Sequence, residues 1–458
     1  MITLPSPEAA WPAATNPPAA TGPAPLGPRE VLDAVADIAA TLHEGALWHD
    51  GKALWLGDHV EPFGSSHRVV HRPCGGSLYD GTAGIGWFLA HAAATRAVGA
   101  EAARDDALGA FRHALDAAVD GGPLGLYDGA AGVGWAVLDG GVALDDRIAE
   151  DGLALLLEAV TRSVDASLPD ELIGGRAGVI VAALAGARLA SERLARPQDA
   201  DRLTDGAIAL GQQLVASAIR TPAGWTWPNA FGYGDEPPLC GLGHGGSGPV
   251  LAAAHLAAAT GEPAFAAAAA NGARGERAWL RPNLGWPDLR EFDRAALERG
   301  EQPVAPVLWC HGAGGIGLSR VRAARLLGDP VLLADATIAL QLAARDVPRL
   351  WQTQAGTYES NFSLCHGAAG LIELFTTAAS ELGERSWLGA AAGVVQAGLA
   401  ARKAGVPWAC GVRDGSDSPS LMLGLAGTGA ALLRLAAPET TSSPLLVGPV
   451  PSGASLFE

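Results

Sequence analysis

Positive charge is scarce in this chain. Lys and Arg number 31 against 48 Asp and Glu, so the formal net charge is −17 and the pI is near 5.0. That balance argues against nucleic acid or an anionic membrane as the main partner. Long apolar runs are also missing: no uninterrupted stretch of about 18 apolar residues occurs, so no membrane span is expected. Residues 1–27 are rich in Pro and Ala but lack the basic and apolar segments of a signal peptide. They are expected to form a disordered tail. Cysteines are few and odd in number: Cys74, Cys240, Cys310, Cys365 and Cys410. That argues against a secreted disulfide framework. A reducing, cytoplasmic setting fits better, and it keeps thiolates available as metal ligands. Aromatic residues make up only 6% of the chain. With so many small residues, its elements can approach one another closely.

What is present is a repeated turn. Gly-x-x-Gly begins at Gly81, Gly129, Gly175, Gly245, Gly312, Gly367 and Gly424, at steps of 48, 46, 70, 67, 55 and 57 residues. Some copies share more than glycines: Ser77-Leu-Tyr-Asp-Gly81 and Gly125-Leu-Tyr-Asp-Gly129 stand in the same register. A self-similar unit of this kind signals a repeat architecture.

After an opening helix from Pro28 to Gly45 and a short irregular or strand-like piece around Trp55, two kinds of helix alternate. Those following the glycine turns, such as 85–98, 179–189, 249–259 and 316–327, are apolar all round and should be buried. Those preceding the next turn, such as 105–119 and 200–217, carry charge on one face. Seven such pairs predict an all-α fold in two concentric layers. A repeat array must cap its ends or close on itself, so the expectation is a closed α/α toroid over residues 28–440, with a C-terminal tail at 441–458. The inner-helix N-termini would meet at one mouth. Two insertions, 225–239 and 281–303, are read as loops over one face, where they would contact substrate or cover apolar surface.

The chemistry concentrates in Trp309-Cys310-His311-Gly312 and Leu364-Cys365-His366-Gly367. Thiolate and neutral imidazole are the preferred ligands of zinc. Cys310, Cys365 and His366 stand at equivalent places in successive repeats, which points to one zinc per chain. Three protein ligands leave a fourth position open, as in catalytic zinc sites. His244, before the glycines of the fourth repeat, shares this register and could move protons in the same mouth. His311 is either a second proton-transfer group or a structural neighbour. Asp170 and Glu171 precede the third repeat's glycines; one would orient an imidazole, or both would serve as turn caps. Asp80 and Asp128 read as turn-forming residues. His67, His71 and Cys74 have no common metal-ligand spacing, and Cys240 and Cys410 are read as packing residues.

These elements, with Gly243-His244-Gly245, Glu373 and Pro419-Ser-Leu-Met-Leu-Gly-Leu-Ala-Gly427, resemble the lanthionine synthetase C-like family over about residues 30–440. The Leu-Tyr-Asp-Gly style is similar to the cyclase part of bifunctional lanthipeptide synthetases, and the chain is expected to be a stand-alone cyclase. The resemblance implies a zinc-bearing α/α toroid, with ligands Cys310, Cys365 and His366 and an active-site histidine at His244. It puts the active-site acid at Glu171, with Asp170 one place earlier. An arginine that some members carry four residues before the first zinc cysteine is replaced here by Pro306, so its function is absent or supplied elsewhere.

The implied reaction joins a peptide cysteine to a dehydroalanine or dehydrobutyrine of the same peptide. A zinc-bound thiolate adds to the β-carbon, and His244, or His311, protonates the α-carbon. The product is a lanthionine or methyllanthionine ring. The substrate is a dehydrated precursor peptide, and a separate dehydratase must prepare it. Two other readings compete. One is a zinc-dependent transferase that adds a small thiol such as glutathione to dehydrated proteins. The other is a non-catalytic scaffold of a peptide-modification complex.

Overall fold

The computed structural model describes residues 26–63, 66–95, 99–118, 121–230, 236–290, 292–352 and 361–447. Most of the expected tail at 1–27 lies outside them, as does 448–458. The chain is mostly helical. After α1 (Pro28–Glu44) come two hairpins, β1 (Leu47–His49) with β2 (Lys52–Leu54), and β3 (Leu56–Phe63) with β4 (Ser66–Pro73). Then follow α2 (Thr82–Ala94), α3 (Ala100–Ala117), α4 (Ala130–Ala143), α5 (Ile148–Asp165), α6 (Arg176–Glu192) and α7 (Pro197–Ser217). A hairpin of β5 (Ile219–Thr221) and β6 (Gly224–Thr226) leads to α8 (Ser247–Thr260) and α9 (Pro263–Arg277). The chain continues through the short α10 (Arg294–Glu298), α11 (Ala313–Leu327), α12 (Pro330–Gln352), α13 (Ala368–Leu382), α14 (Trp387–Lys403) and α15 (Leu425–Ala436). No described helix is long and apolar enough to cross a membrane.

The helices that follow glycine turns are buried on every face over most of their length, as their composition requires: each residue of α2 from Thr82 to Ala93 is buried. Their packing runs α2 on α4, α4 on α6, α6 on α8, α8 on α11, α11 on α13, α13 on α15, and α15 back on α2. The amphipathic partners α3, α5, α7, α9, α12 and α14 each pack outside the buried helix that precedes them. α1 packs on α15, at the point where the series returns to its start.

These buried helices have no side-chain N-caps. Their first N–H groups must still find acceptors. The turn supplies them itself, by folding back so that a carbonyl seven residues upstream accepts the bond. Examples are Thr82 N–H to Gly75 O (2.8 Å), Arg176 to Pro169 (2.8 Å), Ala313 to Pro306 (3.1 Å) and Ala368 to Asn361 (2.9 Å). Pro306 thus has a capping role through its carbonyl. Both glycines of most turns lie where the chain passes close to its own backbone. A Cβ on Gly315 would overlap the Trp309 carbonyl, so only glycine fits there.

Successive turns are tied to each other by backbone hydrogen bonds, and the circuit closes. Tyr79 N–H donates to Tyr127 O, Tyr127 N–H to Ile173 O, Leu172 N–H to Gly243 O, and Gly243 N–H to Cys310 O. Cys310 N–H donates to Cys365 O, Cys365 N–H to Met422 O, and Met422 N–H to Tyr79 O. The residues that the sequence placed in one register therefore meet at one end of the molecule.

Charged groups inside the helical layers are paired: Arg320 with Glu276 (2.6 Å), Arg322 with Glu381 (2.7 Å) and Arg434 with Glu373 (3.4 Å). Removing one member of such a pair leaves a buried charge, at a cost of about 3–5 kcal/mol. Residues 441–447, expected as the start of a tail, are buried instead. Tyr127 donates to Pro444 O (2.8 Å), Ser443 to Glu373 (3.0 Å) and Arg434 to Thr441 O (2.9 Å). The apolar side chains of Leu445, Leu446 and Val447 carry this stretch into the core.

Candidate functional site

Cys310 and Cys365 sit in neighbouring turns, and the Cys365 carbonyl accepts the N–H groups of Trp309 (3.1 Å) and Cys310 (3.2 Å). This backbone lock brings the two sulfurs together. His366, next along the chain, completes the cluster: the ligand atoms of Cys310, Cys365 and His366 all lie within 4.8 Å of one another. It is the only such cluster among the described residues. The imidazole orientation is fixed by Gly411, whose carbonyl lies 2.8 Å from His366 Nε2. A carbonyl only accepts, so Nε2 carries the proton and Nδ1 has the lone pair. A Cβ on Gly411 would lie 2.7 Å from that Nε2 and 2.6 Å from Ser363 Oγ; any other residue would displace the ring.

Two thiols and one imidazole with a fixed tautomer are a donor set that fits zinc. The Cys310 thiol is held below its ordinary value, chiefly by its hydrogen bond with Cys365. The same bond, followed by burial, pushes Cys365 up. Tyr79, from the first turn, donates its hydroxyl to Cys365 Sγ at 3.0 Å. Burial, and then Cys365, raise the Tyr79 pKa, so the phenol remains a donor.

His244 and Glu171 arrive from the adjoining turns. Leu172 N–H to Gly243 O (3.1 Å) and Gly243 N–H to Cys310 O (3.2 Å) join the three turns side by side. His244 Nδ1 lies 2.7 Å from Glu171 Oε2. That carboxylate also accepts the N–H groups of Ile173 (2.9 Å) and Gly174 (2.6 Å). It is therefore held rigidly, and it directs the His244 proton to Nδ1. Asp170 turns elsewhere, into an ion pair with Arg176 at 2.7 Å.

His311 is buried, and its ring centroid is 6.1 Å from that of His244. Burial, and then the charge of Arg290, push its pKa down to about 4; it is a neutral imidazole. Arg290 is a residue that motif reading does not reveal. It comes from the 281–303 insertion, is held by Asp288 at 2.6 Å, and its charge acts on Cys310, His311, Cys365 and His366.

The first insertion walls the other side: Trp225, Trp227, Pro228 and Pro238 line a cleft beside His244 and Glu171. The β3–β4 hairpin borders a second cavity, which reaches His366 and Tyr79 and includes His59 and Arg72.

The remaining sequence candidates serve structure. His71 pairs with Asp58 (2.9 Å) and His67 with Asp414 (2.8 Å), while Cys74 is buried with its thiol pushed up to about 12. Asp80 accepts from Ser77 within its turn (2.7 Å).

The sequence model of the family described as lanthionine synthetase C-like protein matches residues 72–447. The chain belongs to the lanthionine synthetase C-like family. Among solved structures, it is similar to nisin cyclase at 16% identity, with a TM-score of 0.60 over 81% of this chain and 92% of that one. At that identity, the likeness shows a shared fold. A sugar epimerase from a ruminal bacterium aligns at 11% identity with a TM-score of 0.42, covering 89% of this chain and 98% of its own. No curated protein sequence matches this member of the family.

Proposed function

We propose that this protein is a zinc-dependent lanthipeptide cyclase built on an α/α toroid of seven helix pairs. The closed circuit of turns and the return of α15 onto α2 support the architecture. The observation that carries the function is the union, at one end of the fold, of a Cys310–Cys365–His366 cluster with the His244–Glu171 pair. A scaffold would need only the first.

Cys310, Cys365 and His366 would hold the ion. When bound there, zinc supplies positive charge that lowers the pKa of an entering peptide thiol. The thiolate adds to the β-carbon of a dehydroalanine or dehydrobutyrine in the same peptide, and a proton must reach the α-carbon. The proton that the peptide thiol loses is taken up at His244 Nε2, while Glu171 holds the ring through Nδ1, and passes from there to the α-carbon; His311, neutral and adjacent, is the second candidate for this transfer. Asp170 acts by anchoring Arg176 beneath the turn. The aromatic cleft of Trp225 and Trp227 walls the His244–Glu171 pair and limits water. A separate dehydratase prepares the substrate, and a reducing cytoplasm keeps the five cysteines free.

The test is the metal content of purified wild type and Cys365→Ala, followed by an assay on a dehydrated peptide. The expected result is about one zinc per wild-type chain, little in the variant, and thioether rings only with wild type. Wild-type protein that is metal-free as purified and takes up no added zinc would rule out thiol activation and favour a scaffold.

A further inference from the structure

Tyr79 and Tyr127 occupy the same register of Leu-Tyr-Asp-Gly in the first two repeats. Their hydroxyls nevertheless go to different places. Tyr127 donates to the Pro444 carbonyl at 2.8 Å, while Tyr79 donates to the Cys365 sulfur at 3.0 Å. The repeat motif alone therefore does not account for the Tyr79 contact.

The geometry points to Tyr79 as a positioning residue of the metal centre: its hydroxyl holds the Cys365 sulfur in place and draws electron density from it. This rests on the zinc reading above. Tyr79 is well placed for the task. Its N–H donates to Tyr127 O (2.8 Å), and its carbonyl accepts the Met422 N–H (2.9 Å). Met422 in turn accepts the N–H of Cys365 (3.0 Å), so the phenol and the sulfur are fixed to opposite sides of one peptide segment. Edge-on contact with Tyr127, at 6.3 Å and 84°, sets the ring plane.

The two cysteines are consequently inequivalent. The Cys310 sulfur takes a hydrogen bond from the backbone N–H of His311, whereas Cys365 takes one from a side chain. Hydrogen bonds to a ligating group tune its donor strength. A hydroxyl proton against a thiolate lowers the energy of its lone pairs and makes it a poorer nucleophile. The protein's own sulfur is thereby held back from the electrophilic dehydro residue, which the peptide thiol is meant to meet.

The test replaces zinc by cobalt(II) in full-length wild type, Tyr79→Phe and Tyr127→Phe. It reads the sulfur-to-cobalt charge-transfer absorption alongside metal stoichiometry and circular dichroism. Tyr79→Phe should bind the metal and move the band to lower energy, because the lone pairs of Cys365 rise. Tyr127→Phe should leave the band in place. Fluorotyrosine incorporated into the unsubstituted chain, a stronger donor, should move the band the opposite way and does not depend on the variant folding. A Tyr79→Phe band coincident with wild type, or a fluorotyrosine protein with no shift, would overturn the inference alone. Wild-type protein that binds no metal through its cysteines would overturn the proposed function and this inference with it.

Discussion

Glu171→Gln is the substitution that probes the candidate site most sharply, because both of its carboxylate oxygens are already in use. Oε2 receives the His244 Nδ1 proton at 2.7 Å and the Ile173 N–H at 2.9 Å; Oε1 receives the Gly174 N–H at 2.6 Å. A glutamine has one oxygen and one NH2. With the oxygen at the Oε2 position, the NH2 faces the Gly174 N–H. With the amide flipped, it faces both Ile173 N–H and the His244 proton. Either way donor meets donor. An unsatisfied buried donor costs about 1–3 kcal/mol, and the fold should lose that much in urea denaturation.

Catalysis loses more than stability alone implies, because the carboxylate that holds the His244 ring through Nδ1 is gone. A hydrogen bond to a charged group is worth about 1.5–3 kcal/mol, equivalent to a rate loss of roughly 10- to 100-fold. The assay follows a dehydrated peptide by mass spectrometry after alkylation of residual thiols, on protein whose zinc content matches wild type. Asp170→Asn is the comparison. Its carboxylate pairs with Arg176 and lies away from His244, so it should weaken the fold while retaining most of the rate. If Glu171→Gln cyclised at the wild-type rate and Asp170→Asn did not, the assignment of the acid would be wrong.

Two further outcomes follow from the packing. His255 in α8 is buried, its Nε2 has no partner among the described residues, and burial, then Arg322, push its pKa from 6.5 to about 3. Its contribution is fully present above pH 6.5 and declines as pH falls toward 3, because the unfolded chain takes up the proton first. The slope is about 1.4 kcal/mol per pH unit, so unfolding at pH 7.5 and pH 5 should differ by about 2 kcal/mol more in wild type than in His255→Leu; equal differences would refute it. Gly315→Ala drives a methyl into the Trp309 carbonyl beside Cys310. It should cost about 1–3 kcal/mol and lower zinc occupancy, and unchanged melting and metal content would show that the turn has room.

Much of this protein was legible as a sequence because the repeats carry their own register. The seven glycine turns mark where buried helices begin, since only glycine tolerates the return of the backbone on itself. The buried and amphipathic helices differ in composition strongly enough to be told apart. Cys310, Cys365 and His366 stood out because ligand-forming residue types recurred at equivalent turns. The β3–β4 hairpin was visible only as an irregular or strand-like piece around Trp55; its base is tied to a distant part of the chain, with Asp58 N–H donating to Asp417 O. The buried course of 441–447 was missed because partners such as Tyr127 and Glu373 lie far away in the chain.

Residue identity and spacing are local properties, and by themselves they determined the helical class, the family and the membership of the Cys310–Cys365–His366 cluster. The choice of Glu171 over Asp170 as partner of His244 depended on which carboxylate the turn aims at the neighbouring repeat. Tyr79 meets Cys365 across 286 residues of chain, His366 meets Gly411 across 45, and Arg290 reaches the site from an insertion. Tertiary structure alone decided these, because closure of the ring of turns, and not sequence separation, sets which groups come within hydrogen-bonding distance.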